Sequence, residues 1–261
     1  MFLKIMGEMP GYIYAQDSKN NVYVNLFVSS RATVKTDVGE VVLSQQTNYP
    51  WDIRSNITIE SAANARFDLC IRVPAWCEGR DSELELYKVQ GRRESGAFKL
   101  SVNGMPVGAL SISKGYARIS REWSKGDRVE VVMEMPIRRV TAPKVPATKG
   151  RVAVQRGPIV YALELLDIPC SVQDLYLPGS SPLERKFEPN LFGGIMSVEG
   201  SFRYTKHSGK PAEAVEKLRL IPYFAYLNRG PSDLTVWMHD SPEGAPAALK
   251  AEGANPQAVK N

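Results

Sequence analysis

The sequence predicts an all-β fold of two consecutive antiparallel β-sandwich, jelly-roll-like domains. Three observations support this class: short runs alternate apolar and polar residues, turn-forming residues separate those runs, and almost no helical periodicity lies between them. The chain has 261 residues, which is long enough for two small domains with buried cores.

The alternating runs of the first half are predicted strands: 21–28, 32–36, 40–45, 56–60, 65–73, 99–103, 116–120 and 128–135. In the run 65–73, Phe67, Leu69, Ile71 and Val73 share one face, which we expect to be buried. Pro74 follows and ends the strand, because proline cannot donate a ladder hydrogen bond.

Turn residues connect these runs. Asp37–Gly39 is suited to a hairpin turn, Asn103–Gly104 to a tight turn, and Trp123–Asp127 to a further turn between two strands. Repeated short strands and turns of this kind are typical of a sandwich.

The domain boundary is predicted in the segment 138–146, where Pro143 and Pro146 favour an extended connector. Further strands are predicted at 152–155, 159–163, 218–226 and 234–238, with a loop-rich stretch between the second and third. The predicted domains are therefore 11–141 and 142–239. Residues 240–261 lack large aromatic residues and are predicted to be a disordered tail.

Composition excludes several classes of partner. The net charge is +5, but lysines and arginines are scattered and usually adjoin acidic residues, so no nucleic-acid partner is expected. No apolar run approaches the roughly 18 residues of a membrane span, and no membrane partner is expected. The N-terminal apolar run is too short for a signal peptide, which leaves a cytoplasmic or periplasmic location open.

The sequence offers no convincing catalytic or metal-binding group. Cys70 is expected to be a small buried hydrophobe, and the spacing from Cys70 to Cys77 is unusual for zinc, although a disulfide between them is conceivable in an oxidising compartment. The two histidines, His207 and His239, are placed in a loop and at the start of the tail. No Gly-x-Ser-x-Gly motif accompanies them.

Glycoside hydrolysis ordinarily requires two carboxyl groups facing each other across the scissile bond. The acidic residues weighed for this role all lie in or beside predicted strands: Asp52, Glu60, Asp68, Glu122 and Glu164. Asp68 is expected in a cross-strand ion pair and Asp52 in a turn cap. No residue is therefore assigned a catalytic role.

Aromatic residues at strand ends are the candidates for substrate binding. Four side chains could stack on a sugar ring: Tyr49, Trp51, Trp76 and Trp123. Tyr49, Trp51 and Trp76 are taken as the candidate substrate-binding residues. The alternative for these side chains is packing on the core or on a neighbouring domain.

Several segments in order together carry a family resemblance: Gly11–Tyr14, Val22–Leu26, Thr47–Asp52, Ile71–Trp76, Val102–Gly104, Gly115–Tyr116, Arg121–Trp123, Met135–Val140, Gly150–Tyr161, Ile221–Tyr223 and Asn228–Pro231. Their order and spacing resemble those of glycoside hydrolase family 127, the β-L-arabinofuranosidase family.

The resemblance implies that the chain corresponds to the two β-sandwich domains that follow an (α/α)₆ catalytic barrel. In that family the barrel is zinc-dependent, with a cysteine nucleophile, and its last cysteines lie shortly before a segment similar to Gly11–Tyr14. The stretch Phe2–Pro10 contains no cysteine, so no catalytic residue of the family is carried over and no cofactor is expected in this chain. Tyr12 and Tyr14 are expected to pack on the barrel.

Three functional hypotheses follow. The first is a non-catalytic scaffold whose partner is the (α/α)₆ barrel of a β-L-arabinofuranosidase-like enzyme. The second is a carbohydrate-binding module with an aromatic platform for arabinose-containing carbohydrate, and the third is an intact hydrolase with an unrecognised site.

Overall fold

The computed structural model describes residues 2–37, 39–62, 66–78, 86–90, 97–168, 170–211 and 215–243. Within these ranges the strands are β1 Tyr14–Gln16, β2 Val22–Val24, β3 Ser30–Thr36, β4 Gly39–Thr47, β5 Arg54–Ser61, β6 Arg66–Arg72, β7 Lys88–Gln90, β8 Phe98–Val102, β9 Met105–Pro106, β10 Ile112–Ser113, β11 Tyr116–Glu122, β12 Arg128–Met133, β13 Ile137–Thr141, β14 Arg151–Arg156, β15 Ile159–Glu164, β16 Leu175–Tyr176, β17 Leu183–Glu188, β18 Ile195–Tyr204, β19 Val215–Pro222, β20 Leu234–Thr235 and β21 Met238–His239.

Helical structure is confined to short pieces. One α-helix, α1, spans Phe2–Glu8. Single 3₁₀ turns are formed by Met9–Tyr12, Ala75–Glu78, Pro146–Thr148, Leu165–Asp167, Val172–Asp174, Lys206–Ser208 and Tyr223–Ala225. In the described part of the chain, no helix is long and apolar enough to cross a membrane. The all-β fold class predicted from the sequence is confirmed.

The chain divides into two compact units. The first unit comprises residues 1–81 and 92–136, and the second comprises residues 82–91 and 137–261. Strand β13 lies in the second unit because it pairs with β14 and β7, although the sequence analysis placed its residues in the first domain. Pro136, between β12 and β13, therefore stands at the division.

The first unit contains two sheets. One has the strand order β1-β2-β6-β11-β10 and the other has the order β3-β4-β5-β12-β8-β9. All pairings are antiparallel except that of β2 with β6, which is parallel. One hydrophobic core contains buried side chains from both sheets, as in a sandwich.

Strand β6 shows how the sequence builds this core. Phe67, Leu69, Ile71 and Val73 are all buried, as their alternation predicts. Cys70 is also buried and, like Cys77 and Cys170, does not form a disulfide.

The predicted strand 21–28 is shorter in the structure. β2 ends at Val24, because the backbone N–H groups of Asn25 and Leu26 both donate to the carbonyl of Ile13 instead of a neighbouring strand. The segment after β2 then carries the chain from one sheet to the other, where β3 begins.

The second unit is built on one set of connected strands. Its pairings form a closed circuit, β14-β15-β19-β18-β16-β21 and back to β14, with β13, β7, β17 and β20 attached. Only β16 and β21 pair in parallel among the described strands of this unit.

The end of the described chain is partly ordered. The N–H of Asp240 donates to the carbonyl of Gly150, and the carbonyl of Pro242 accepts from the N–H of Lys206. Residues 244–261, which make up most of the predicted tail, lie outside the described residues.

Candidate functional site

The turn between β4 and β5 carries two of the three predicted sugar-binding aromatics. The Thr47 hydroxyl donates to the carbonyl of Arg54 at 2.7 Å and accepts from the N–H of Tyr49 at 3.0 Å. The N–H groups of Trp51 and Asp52 both donate to the carbonyl of Asn48. These bonds close the turn tightly.

Asp52 has the turn role that its position predicted. Its Oδ1 accepts a hydrogen bond from the N–H of Ile53 at 2.6 Å. The carboxylate thus stabilises the return of the chain into β5.

Tyr49 and Trp76 lie together, partly buried against the core of the first unit. The Tyr49 ring contacts Phe27, with ring centroids 5.6 Å apart and planes at 58°. Burial raises the pKa of Tyr49 to about 12, against a smaller opposing effect of its hydrogen bond with Trp76. Much of the surface of these two side chains therefore packs on the protein itself.

Trp51 is half-buried on the same turn, whereas Trp123 is fully buried. The Trp123 indole stacks on Phe67 at 5.8 Å and donates from Nε1 to the carbonyl of that residue at 3.0 Å. Trp123 is thus a core residue and not a sugar platform.

A polar cleft lies beside the turn. It has a volume of about 300 Å³ and is lined by Ser29, Gln46, Thr47, Asn48, Asp52, Arg54 and Asn56. Gln46 of β4 and Asn56 of β5 stand directly opposite each other across the strand pair. They project to the outer face of the sheet, because their neighbours Gln45, Ser55 and Ile57 are buried.

The sequence analysis did not identify this cleft. The available signal was the run of neutral polar residues at the outward positions of β4 and β5, including Ser44, Gln46, Asn56 and Thr58. Their pairing depends on the strand register, which includes a shift between Val42 and Leu43 that the sequence did not predict.

The sequence analysis found no convincing metal site, and the structure addresses the described residues. Among them, no group of three or more His, Cys, Asp or Glu side chains is placed to hold a metal ion. Burial raises the pKa of the Cys70 and Cys170 thiols, which disfavours the thiolate needed for a metal bond or a nucleophile.

Three of the carboxylates considered for catalysis, Glu60, Asp68 and Glu164, are paired with arginines of the chain. Asp68 accepts from Arg118 at 2.7 Å and from Ser120 at 2.5 Å, which is the predicted cross-strand arrangement. Hydrogen bonds from Arg31 and Ser44 lower the pKa of Glu60. A general acid in glycoside hydrolysis requires the opposite shift.

The position of His239 differs from the predicted one. It lies in β21 rather than at the start of a tail, is buried, and has its Nε2 3.1 Å from Oε1 of Gln173. The backbone of β21 pairs with β14, and this pairing holds the histidine inside the second unit.

The second unit contains a cluster of paired charges. Arg229 donates hydrogen bonds to the carboxylate of Glu164. It also donates two hydrogen bonds to Asp167, at 2.9 and 2.5 Å, and Arg219 donates one to Asp167 at 2.5 Å. Burial alone would raise the pKa of Asp167, but the hydrogen bonds from the two arginines lower it overall. The cluster joins the loop after β19 to the end of β15.

Comparison with known proteins defines the class. Residues 21–135 match the sequence model of the "Beta-L-arabinofuranosidase, GH127 middle domain", and residues 137–239 match that of the "Glycoside hydrolase family 127 C-terminal domain". The two matches meet where the structure divides into units. The chain therefore belongs to glycoside hydrolase family 127, in the region of its middle and C-terminal domains.

Individual relatives agree with this assignment. The non-reducing end β-L-arabinofuranosidase of Bifidobacterium longum is 26% identical, over 90% of this chain and 35% of its own length. A solved family 127 β-arabinofuranosidase is 37% identical with a TM-score of 0.81, covering 89% of this chain and 37% of that one.

A second solved structure, a family 127 β-L-arabinofuranosidase from Geobacillus stearothermophilus T6, is 34% identical with a TM-score of 0.78. The match covers 92% of this chain and 36% of that one. The chain thus spans little more than a third of the length of these relatives.

Proposed function

We propose that this chain is the non-catalytic β portion of a β-L-arabinofuranosidase-like enzyme, and that it scaffolds a separate (α/α)₆ catalytic barrel. The observation that carries the proposal is the match of both structural units to the middle and C-terminal domains of one family. The zinc and the bond-breaking groups then belong to the barrel.

The ion pairs of three carboxylates support the proposal that catalysis belongs to the barrel. Glu60, Asp68 and Glu164 are each paired with an arginine of the same chain. Such pairs occupy the carboxylate oxygens with contacts inside the chain, so these groups are poorly placed to exchange protons with a sugar.

The N-terminal segment of the first unit offers a surface for the barrel. Leu3 and Tyr12 are 86% and 60% exposed, and Ile5, Met6 and Met9 are also exposed. Large apolar side chains grouped on a surface are typical of contacts with another domain or protein. Tyr14, also expected to face the barrel, instead packs partly on the core and its hydroxyl lies 3.0 Å from Ser30.

A replacement experiment in a relative tests the scaffold. The matching third of the Geobacillus stearothermophilus enzyme is deleted, or is replaced by this chain, and hydrolysis of an aryl arabinofuranoside is measured. We expect the deletion to lose activity or solubility and the replacement to recover part of it. The same replacement with Leu3 and Tyr12 changed to Ser is the control, and it should recover less.

Full activity of the deleted enzyme would show that this region is dispensable and would contradict the proposal. Equal recovery by the chain and by its Leu3→Ser, Tyr12→Ser variant would reject the proposed contact surface.

Carbohydrate binding is a second candidate function. It is supported by the position of Trp51, half-buried on the closed turn that also carries Tyr49 and that borders a polar cleft. Trp76 is joined to Tyr49 by a hydrogen bond. Aromatic faces of this kind pack on the apolar faces of sugar rings.

Tryptophan fluorescence tests this second function. Titration of the chain with arabinose-containing oligosaccharides should change its emission, and Trp51→Ala should remove most of the change. The buried Trp123 provides an internal background signal that the sugar does not reach. Unchanged emission at millimolar sugar would reject this function.

A further inference from the structure

We propose that the polar cleft beside the β4–β5 turn binds an uncharged sugar unit of an oligosaccharide through the side-chain amides of Gln46, Asn48 and Asn56. This inference rests on the second candidate function above, because it identifies the hydrogen-bonding part of that site. It differs from the aromatic platform, since it assigns the binding to different side chains.

The amides have unused hydrogen-bonding capacity. Across the described residues, the side chains of Gln46, Asn48 and Asn56 make no hydrogen bond to the protein, whereas the neighbouring Gln45 uses its amide fully. Each free amide offers two donors and a carbonyl acceptor. Sugar hydroxyl groups both donate and accept, so amides match them without requiring a charge.

The two ionic groups of the cleft balance each other. Asp52 uses Oδ1 for the N–H of Ile53, and Arg54 has only a loose contact with Glu130, at 3.9 Å. One carboxylate and one guanidinium give the cleft no net charge. A neutral polyhydroxyl ligand therefore suits it better than a phosphate or a metal ion.

A row of polar side chains leads from the cleft across the outer face of the sheet. Gln46 stands opposite Asn56, Asn56 opposite Glu130, and Glu130 opposite Ser101. These four side chains form a row across the strands β4, β5, β12 and β8. With strands about 4.8 Å apart, the row is roughly 14 Å long, which favours a chain of sugars over a single one.

The row is unlike an ordinary exposed sheet surface. Asparagine is depleted in strands, where β-branched side chains are favoured. Outward positions of β5 nevertheless include Asn56 between Arg54 and Thr58, facing Gln46. A binding role explains why amides occupy positions at which strand stability alone favours other residues.

Nuclear magnetic resonance of the full chain provides a direct test. The ¹⁵N-labelled protein is titrated with an arabino-oligosaccharide, and the side-chain NH₂ signals of Gln46, Asn48 and Asn56 are followed. We expect these signals to shift together, and the Asn48→Ala, Asn56→Ala double variant to bind about tenfold more weakly, as the loss of two hydrogen bonds implies. Thr33→Ala is the matched control, because Thr33 is exposed on the same sheet at an edge strand.

Each outcome decides between the two sites. If Trp51→Ala abolishes binding while the double amide variant binds normally, the aromatic platform is retained and the cleft is rejected. If the NH₂ signals of the unaltered chain do not shift at millimolar sugar, the aromatic platform and the polar cleft are both rejected as sugar sites. The scaffold function is tested separately, by the replacement experiment. An oligogalacturonide of the same length should bind more weakly, and tighter binding would overturn the assignment of a neutral ligand.

Discussion

Gln45 is a buried polar residue whose amide holds the crossover between the two sheets of the first unit. It is 1% exposed, and its Nε2 donates to the carbonyls of Leu26 at 3.1 Å and Val28 at 3.0 Å. Its Oε1 accepts from the hydroxyl of Ser55 at 2.9 Å. One side chain thus satisfies three buried or partly buried groups.

Replacing Gln45 should therefore be costly. Gln45→Ala removes the partner of the Leu26 carbonyl and of the Ser55 hydroxyl, whereas the Val28 carbonyl still accepts from the Ser30 hydroxyl. We expect it to lower the free energy of unfolding by about 1–3 kcal/mol. Gln46→Ala, at the exposed neighbouring position, should change it by less than about 0.5 kcal/mol. Urea unfolding of the two variants measures the difference, and equal values would contradict the role assigned to Gln45.

Asp17 should make the first unit sensitive to acid. Burial would raise its pKa, but hydrogen bonds from the Asn21 side chain, the N–H groups of Lys19 and Asn21, and the Tyr23 hydroxyl lower it to about 2. Because the folded pKa lies below the unfolded value, the carboxylate contributes stability above about pH 4 and loses it as the pH falls towards 2.

The test compares the chain with its Asp17→Asn variant. The difference between their free energies of unfolding should be largest near neutral pH and should shrink between about pH 4 and pH 2. Unfolding followed by circular dichroism at several pH values measures it. A difference that does not change with pH would show that the Asp17 charge contributes nothing.

At the scale of elements, the regular strands of the first unit were predictable because only one face of each is buried. β5 alternates without interruption and β6 does so except at the buried Cys70, and the predicted positions of both are close to the observed ones. β18 was missed although it has ten residues. Its buried positions include Ser197 and Gly200. Because neither residue is a large apolar one, the sequence does not show the alternation that would predict a strand.

The inward glycine of β18 has a packing reason. A Cβ at Gly200 would lie 2.7 Å from Cδ2 of Leu183 on the paired strand β17. The close approach of Leu183 to Gly200 depends on how the two strands pair in the folded chain, so the sequence alone could not indicate it. The predicted strand 218–226 was too long for a related reason, since a 3₁₀ turn replaces it after Pro222.

The loop after β19 should depend on Arg229. Arg229 neutralises Glu164, whose side chain is 1% exposed, and also pairs with Asp167. Arg229→Ala leaves a buried carboxylate without its counterion, and we expect a loss of about 3–5 kcal/mol from the stability of the second unit.

Lys206→Ala is the control for this prediction, because Lys206 pairs with Glu243 at the surface, where both side chains are more than half exposed. It should cost less than about 1 kcal/mol. Differential scanning calorimetry of both variants makes the comparison, and a similar small effect of Arg229→Ala would contradict a structural role for the cluster.

For the whole molecule, the sequence predicted the family and the fold class more completely than the candidate site. The tight turn at Asn103–Gly104 was predictable because it depends on the turn residues themselves. The positive φ angles of both residues confirm it. The cleft depends on which side chains of β4 and β5 face each other, and the burial of Tyr49 depends on its contact with Phe27. These are long-range contacts, which no single segment specifies.

The central claim is that this chain supports catalysis without performing it, and its own turnover is the most direct measurement. The purified 261-residue chain is incubated with an aryl β-L-arabinofuranoside, with added zinc and a reducing agent, beside the Geobacillus stearothermophilus relative. The account predicts release of the aryl group by the relative and none above background by this chain. Turnover by this chain that is lost on substitution of one of its carboxylates would contradict it.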